Sequence, residues 1–99
     1  MTTDLNRLAQ TAEAEGRGFT FPGTFEVTAF GENVPELEAI VLSELTAAGV
    51  KPDLGSVRQR LSRGDRYLAV SVSFDCESRE QHQEAYRRLR AHPAVRMTL

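Results

Sequence analysis

From Arg66 to Cys76 the chain alternates without a fault. Leu68, Val70, Val72, Phe74 and Cys76 fall on one side; Tyr67, Ala69, Ser71, Ser73 and Asp75 fall on the other. Successive side chains of an extended chain point to opposite faces, so this is a strand with one buried face. It is the longest such stretch here and belongs in the middle of a sheet. Residues 56–63 alternate as well, with Val57, Gln59 and Leu61 opposing Ser56, Arg58, Arg60 and Ser62. Gly64-Asp65 lies between the two. Glycine at the first central position predicts a two-residue type II′ hairpin. That turn pairs Leu61 with Leu68, Gln59 with Val70 and Val57 with Val72. A slip of one residue would turn the apolar set to the wrong face.

The remaining segments read as follows. Residues 24–30 alternate, with Phe25, Val27 and Ala29 inward and Glu26, Thr28 and Phe30 outward. Residues 34–48 place Leu37, Ile40, Val41, Leu45 and Ala48 on one helical face. Gly49 suits the left-handed position that ends a helix, with Val50 placed to touch Leu45. Ser78 with Gln81 three residues on is a capping-box pattern. The helix behind it turns His82, Ala85, Tyr86 and Leu89 inward until Pro93. Residues 94–99 form a short last strand, with Val95 and Met97 on one face. Residues 4–14 have the stripe of a short helix within an N-terminal arm, residues 1–20. The order over residues 21–99 is β-α-β-β-α-β. Two right-handed crossovers joined by a hairpin give an α+β, ferredoxin-like sandwich. The expected sheet is antiparallel, in the order 4-1-3-2, with both helices on one face. The expected edge strand, 56–63, carries arginines, which discourage edge-to-edge association.

Ninety-nine residues hold one domain. A single cysteine allows no internal disulfide, and Cys76 with His82 and His92 lacks zinc-site spacing. The first residues have no apolar signal core, and no apolar run reaches membrane-spanning length. A cytoplasmic protein is the expectation. Charge is unevenly spread. Residues 1–50 hold eight acids against two arginines, and residues 51–99 hold ten bases against six acids. With a pI near 5.7, that asymmetry reads as two solvated faces and argues against a nucleic-acid binder.

Phe21-Pro22, the strand ending in Gly31, Pro35-Glu36-Leu37 and the terminal Val95 to Leu99 resemble the bacterial YbeD family over residues 21–99. The resemblance implies a small, cytosolic, ferredoxin-like protein, similar in fold to ACT-type regulatory domains. It implies no catalytic residues and no cofactor, and it implies a link to lipoate-attachment enzymes at most.

Two places could bind something. In the turn Gly31-Glu32-Asn33-Val34-Pro35-Glu36, Asn33 can cap the following helix with Glu36 as its reciprocal partner. Pro35 is tolerated in the first turn, and Gly31 supplies a backbone conformation closed to other residues. Gly31, Glu32 and Asn33 would hold a small carboxylate if free N–H groups remained there. Glu32, Glu36 and the missing Pro35 donor oppose that. The second place is the open sheet face: Glu26, Thr28, Phe30, Arg58, Arg60, Tyr67, Ala69, Ser71, Ser73 and Arg96. RNA-recognition domains share this topology and stack bases on central-strand aromatics. Here Glu26 sits mid-sheet, and a glycine-aromatic element is missing. Phe30 and Tyr67, placed near opposite margins, suit an interface, and a homodimer through this face is the economical reading. His82 reads as a packed core residue, His92 suits its helix end, and Cys76 has the buried parity of an inert thiol. No nucleophile, base and acid fall into a catalytic arrangement. The expectation is a non-enzymatic regulatory or binding protein that uses protein contacts or senses a small molecule. The alternative is weak nucleic-acid binding through Arg58, Arg60 and Arg96.

Overall fold

The computed structural model describes residues 19–99. The helix expected over residues 4–14 lies outside them, as does nearly all of the arm assigned to residues 1–20. Phe19, assigned to that arm, belongs to the domain. Its ring centroid is 5.5 Å from that of Phe25 and 4.9 Å from that of His82.

Strand β1 (Gly23–Glu32) pairs antiparallel with β4 (Tyr67–Cys76) along their whole length, from Gly23 opposite Cys76 to Glu32 opposite Tyr67. This register sets Val27 against Val72 and Ala29 against Val70, all fully buried. Helices α1 (Leu37–Ala47) and α2 (Arg79–Ala91) cover that face. They contribute Leu37, Val41 and Leu45 from α1, and Ala85 and Leu89 from α2. Burying each large aliphatic side chain stabilises by about 1.5–3 kcal/mol. Phe25, Ile40 and Ala48, expected on the core face, are only half-buried, and so is Tyr86. It stacks on His82 with centroids 4.9 Å apart.

β5 (Val95–Thr98) flanks β1, and β3 (Arg58–Leu61) flanks β4. The order is therefore β5-β1-β4-β3, as the sequence predicts. One further strand, β2 (Lys51–Pro52), pairs with the other end of β4, opposite Asp75 and Phe74. It makes a five-stranded sheet with a split edge. The split has a local cause. Pro52 has no N–H to give a ladder. Asp53 Oδ1 accepts the Gly55 N–H at 3.0 Å, drawing the chain into a 3-10 turn, Leu54–Ser56. Ser56 Oγ then accepts the Ser73 N–H at 2.8 Å and bridges the gap in the ladder.

The Ser78 half of the α2 cap is as read, while the reciprocal bond falls one residue earlier, on Glu77 and not on Ser78. Ser78 Oγ accepts the Gln81 N–H at 3.2 Å, and Gln81 Oε1 accepts the Glu77 N–H at 2.9 Å. The end of α1 is also as read: Gly49 has φ of +94° and donates to Thr46 O at 3.0 Å.

Five local expectations change. The hairpin keeps its register, Leu61 opposite Leu68 and Gln59 opposite Val70, but not its turn. Gly64 and Asp65 both have positive φ, 82° and 59°, whereas type II′ needs it only at the first. The loop spans residues 63–66, closed by Ser62 N–H on Tyr67 O. Next, Gln59 and Leu61 are exposed, not buried: Gln59 lies at the flank of α1, where its side chain donates to Glu38 Oε1 at 2.6 Å, and Leu61 is 46 % exposed. Third, a bulge between Phe30 and Gly31 sets Met97 opposite Phe30 and Val95 opposite Gly31. Val95 is buried at 6 %, but Met97 is 55 % exposed on the other face. Fourth, Asn33 caps nothing. α1 begins later, behind Glu36, with no side-chain cap. The Asn33 side chain donates instead to Asp65 O at 3.0 Å, and its backbone N–H to Arg66 O at 3.0 Å. Fifth, Gly31 has no positive φ; what it supplies is room. A Cβ there would lie 2.3 Å from the carbonyl oxygen of Ala94 and 3.1 Å from a Leu37 methyl.

Two substitutions test this architecture. Val72→Asp puts an unpaired carboxylate into the fully buried row. It is expected to abolish the cooperative melt, since the cost approaches the ~5–15 kcal/mol stability of a small domain. A variant that melts like wild type would overturn the strand parity. Gly31→Ala is expected to cost about 1–3 kcal/mol, because the Ala94 backbone must move. An unchanged denaturation midpoint would contradict the close approach of the two strands.

Candidate interaction site on the open sheet face

The face of the sheet turned away from the helices is built by the outward parity of β1 and β4. Across one row stand Met97, Phe30, Ala69 and Arg60; across the next, Thr28, Ser71 and Arg58. Leu99 extends that second row, since it and Thr28 exchange both backbone bonds, at 3.1 and 2.8 Å. A third row sets Glu32 against Tyr67. Phe30 and Tyr67 are therefore not at opposite margins. They sit diagonally on adjacent central strands, at the same end of the face. Met97 (55 %), Leu99 (54 %) and Tyr67 (38 %) are exposed around the half-buried Phe30. The β5 half of the face is thus apolar.

Met97 and Leu99 were not legible as members of this group. The bulge that flips Met97 has no sequence marker beyond Gly31, and Leu99 reads only as a chain end.

Polar groups on the face satisfy one another. Thr28 Oγ1 and Ser71 Oγ share a 2.7 Å hydrogen bond. Arg58 pairs with Glu26, and Arg96 pairs with Glu32 at 2.7 Å while lying 5.9 Å from the Tyr67 ring centroid. These pairs are exposed and contribute at most about 1 kcal/mol each. Their larger effect is to cancel charge on the face. Arg60 stands at the β3 margin without such a partner among the described residues.

The turn after β1 offers less than its sequence suggests. Glu32, Asn33, Val34, Asp65, Arg66 and Tyr67 line a shallow hollow of about 330 Å³. The N–H groups that would hold an anion there are already used. Asn33 donates to Arg66 O, Val34 to Glu32 O and Leu37 to Val34 O. Gly31 is buried beneath Ala94 and Leu37 and does not reach the hollow. Glu32 is held by Arg96. Of the three residues expected to hold a carboxylate, the structure brings Glu32 and Asn33 together and leaves Gly31 behind.

The other chemistry-bearing side chains are packed. His82 is 7 % exposed within a group of rings that includes Phe19, Phe25, Phe74 and Tyr86. Cys76 is buried and donates its thiol to Ser78 O at 3.2 Å; burial pushes the thiol pKa up. On the helical layer, the acidic and basic stripes meet. Arg88 reaches Glu44 at 3.1 Å and Glu84 at 3.4 Å, and Arg87 holds Glu84 at 2.8 Å. The hydrogen bond from Arg87 lowers the Glu84 pKa to about 2. No described helix is long and apolar enough to cross a membrane.

The chain is similar over most of its length to several bacterial proteins and, in fold, to solved structures. A UPF0250 protein of Xanthomonas oryzae pv. oryzae is 43 % identical over 82 residues, covering 83 % of this chain and 89 % of that one. A UPF0250 protein of Stenotrophomonas maltophilia is 39 % identical over the same shares of the two chains. The solution structure of protein HP0495 from H. pylori superposes with a TM-score of 0.64, over 89 % of this chain and 92 % of that one. At 13 % identity that likeness speaks to the fold alone. The resemblance to the YbeD family is borne out. The profile of the family described as "Protein of unknown function (DUF493)" matches residues 17–99, and the chain belongs to that family.

Proposed function

We propose that this protein is a non-enzymatic binding module, regulatory in role, that works through protein contacts and first of all through a second copy of itself on the open sheet face. One observation carries the reading: Phe30, Tyr67, Met97 and Leu99 gather on a face that no described helix covers. Apolar groups of that kind, rimmed by polar residues, mark contact surfaces. The partner follows from charge. Glu26 with Arg58, and Glu32 with Arg96, leave the centre of the face near neutral. A twofold-related copy can meet it without like-charge repulsion, as an isologous contact requires.

The alternatives have less support. A sensor of small carboxylates at the turn after β1 would have to displace hydrogen bonds already made there. A nucleic-acid surface would need Arg58 and Arg96 to leave their carboxylates, with Glu26 and Glu32 still repelling phosphate. Salt separates this last reading from ours. Counterion release makes nucleic-acid binding fall steeply with ionic strength, and an apolar contact barely responds.

Analytical ultracentrifugation tests the proposal. The wild-type chain is expected to sediment as a dimer at high micromolar concentration. Phe30→Glu and Tyr67→Glu are each expected to give monomers that melt as wild type does. Arg87→Glu with Arg88→Glu, on the helical layer, is expected to leave the dimer intact. A monomeric wild type, or a dimer dissociated only by the helical-layer change, would overturn the assignment.

A further inference from the structure

The second candidate surface is the outer edge of β3, and it is chemically unlike the apolar half of the face. β3 pairs with β4 on one side only. Ser62 N–H donates to Tyr67 O at 2.9 Å. With the two-residue period of an antiparallel ladder, Arg60 and Arg58 also aim their backbone groups at β4. Gln59 and Leu61 therefore aim theirs outward, away from the sheet. All four β3 residues are exposed. Among the described residues this strand edge is free; on the helix side the Gln59 side chain donates to Glu38 of α1 at 2.6 Å.

Its charge is unspent. Among the described arginines, Arg58, Arg79, Arg87, Arg88, Arg90 and Arg96 each have a carboxylate, a hydroxyl or an aromatic ring as partner. The side chains of Arg60, Arg63 and Arg66 have none. All three belong to the β3–β4 hairpin. Charged side chains on a free edge discourage its pairing with another copy. Here an unpaired arginine stands on the edge strand, and two more continue the field around the hairpin tip.

We propose that the β3 edge receives an extended acidic segment of a partner protein as an added strand. Backbone bonds would run from that segment to Gln59 and Leu61. Its acidic side chains, at every second position, would lie on the open face with one beside Arg60, Arg58 being already held by Glu26, and the alternate positions would face Leu61. Strand addition draws affinity from main-chain bonds and selectivity from alternate side chains. A second copy of this chain does not fit, because pairing β3 with itself sets arginines against arginines. Arg63 and Arg66 would speed encounter with an acidic partner more than they hold it. This inference stands apart from the dimer, which uses the β5 half of the face.

Fluorescence anisotropy with the full chain tests it. The probe is a short fluorescein-labelled peptide of alternating glutamate and valine. Companion probes are its lysine–valine counterpart, a labelled single-stranded oligonucleotide, and two versions of the acidic peptide N-methylated on alternate residues, one in each frame. Saturable binding of the acidic peptide is expected, lost in one methylation frame and kept in the other. Hydrogen exchange at the Gln59 and Leu61 amides is expected to slow on binding. Arg60→Glu with Arg63→Glu, both fully solvated sites, is expected to melt as wild type does and to shift preference toward the lysine–valine peptide by about tenfold or more. The proposal is overturned by no saturable binding, by equal loss in both methylation frames, by protection elsewhere than β3, or by tighter binding of the oligonucleotide. Loss of the wild-type dimer in the ultracentrifuge leaves this result unaffected, so the two ideas fail separately.

Discussion

Everything else in this fold hangs on the pairing of β1 with β4. It runs through both strands without interruption, from Gly23 opposite Cys76 to Glu32 opposite Tyr67. Because side chains alternate strictly along each strand, one register decides two faces at once. It sends Val27, Val70, Val72 and Phe74 beneath the helices, and Thr28, Phe30, Ser71 and Tyr67 to the other side. Sliding β1 by a single residue against β4 would bury Glu26 and Thr28 and expose Val27 and Ala29. The cost of burying a carboxylate, several kcal/mol even after relaxation, excludes that alternative. The contact surfaces are thus the complement of the core and follow from the same constraint.

The parts of the fold that were legible in the sequence are those where local pattern and global packing agree. The β4 alternation, the hairpin register and the Ser78 cap each involve residues whose local preference is met in place. The parts that were not legible involve competition. Asn33 has a good helix cap within reach. It bonds instead to the backbone of residues 65 and 66, a partner distant in sequence that no local motif announces. Met97 has the parity of a buried residue until a bulge opposite Phe30 adds a residue to the count. Residues 51–61 look like a turn followed by a strand. They are an edge strand broken in two by Pro52 and by the side chain of Asp53.

The same distinction runs through the candidate surfaces. Phe30, Tyr67, Arg58 and Arg60 could be assigned to the open face by parity alone. Their mutual arrangement needs the register between strands, and this brings Phe30 and Tyr67 together and extends their group with Met97 and Leu99. Pairing of charges needs coordinates altogether. Nothing in the sequence distinguishes Arg96, engaged by Glu32, from Arg60, Arg63 and Arg66, which are not engaged. That difference turns a general excess of positive charge in the second half of the chain into one localised basic hairpin.

The two bonds from Asn33 to the hairpin have a mechanical meaning. They tie the loop of the β3–β4 hairpin to the segment that connects β1 to α1, across a sequence separation of 32 residues for the side-chain bond. A hairpin loop is ordinarily free to bend and twist, and any partner must first stop that motion. Here much of that ordering is already built into the free protein. The tip meets its surroundings as a stiff strut, so association sacrifices less conformational entropy. The strut also transmits: a load on the arginines of the tip is carried through Asn33 into the connection that leads from β1 to α1.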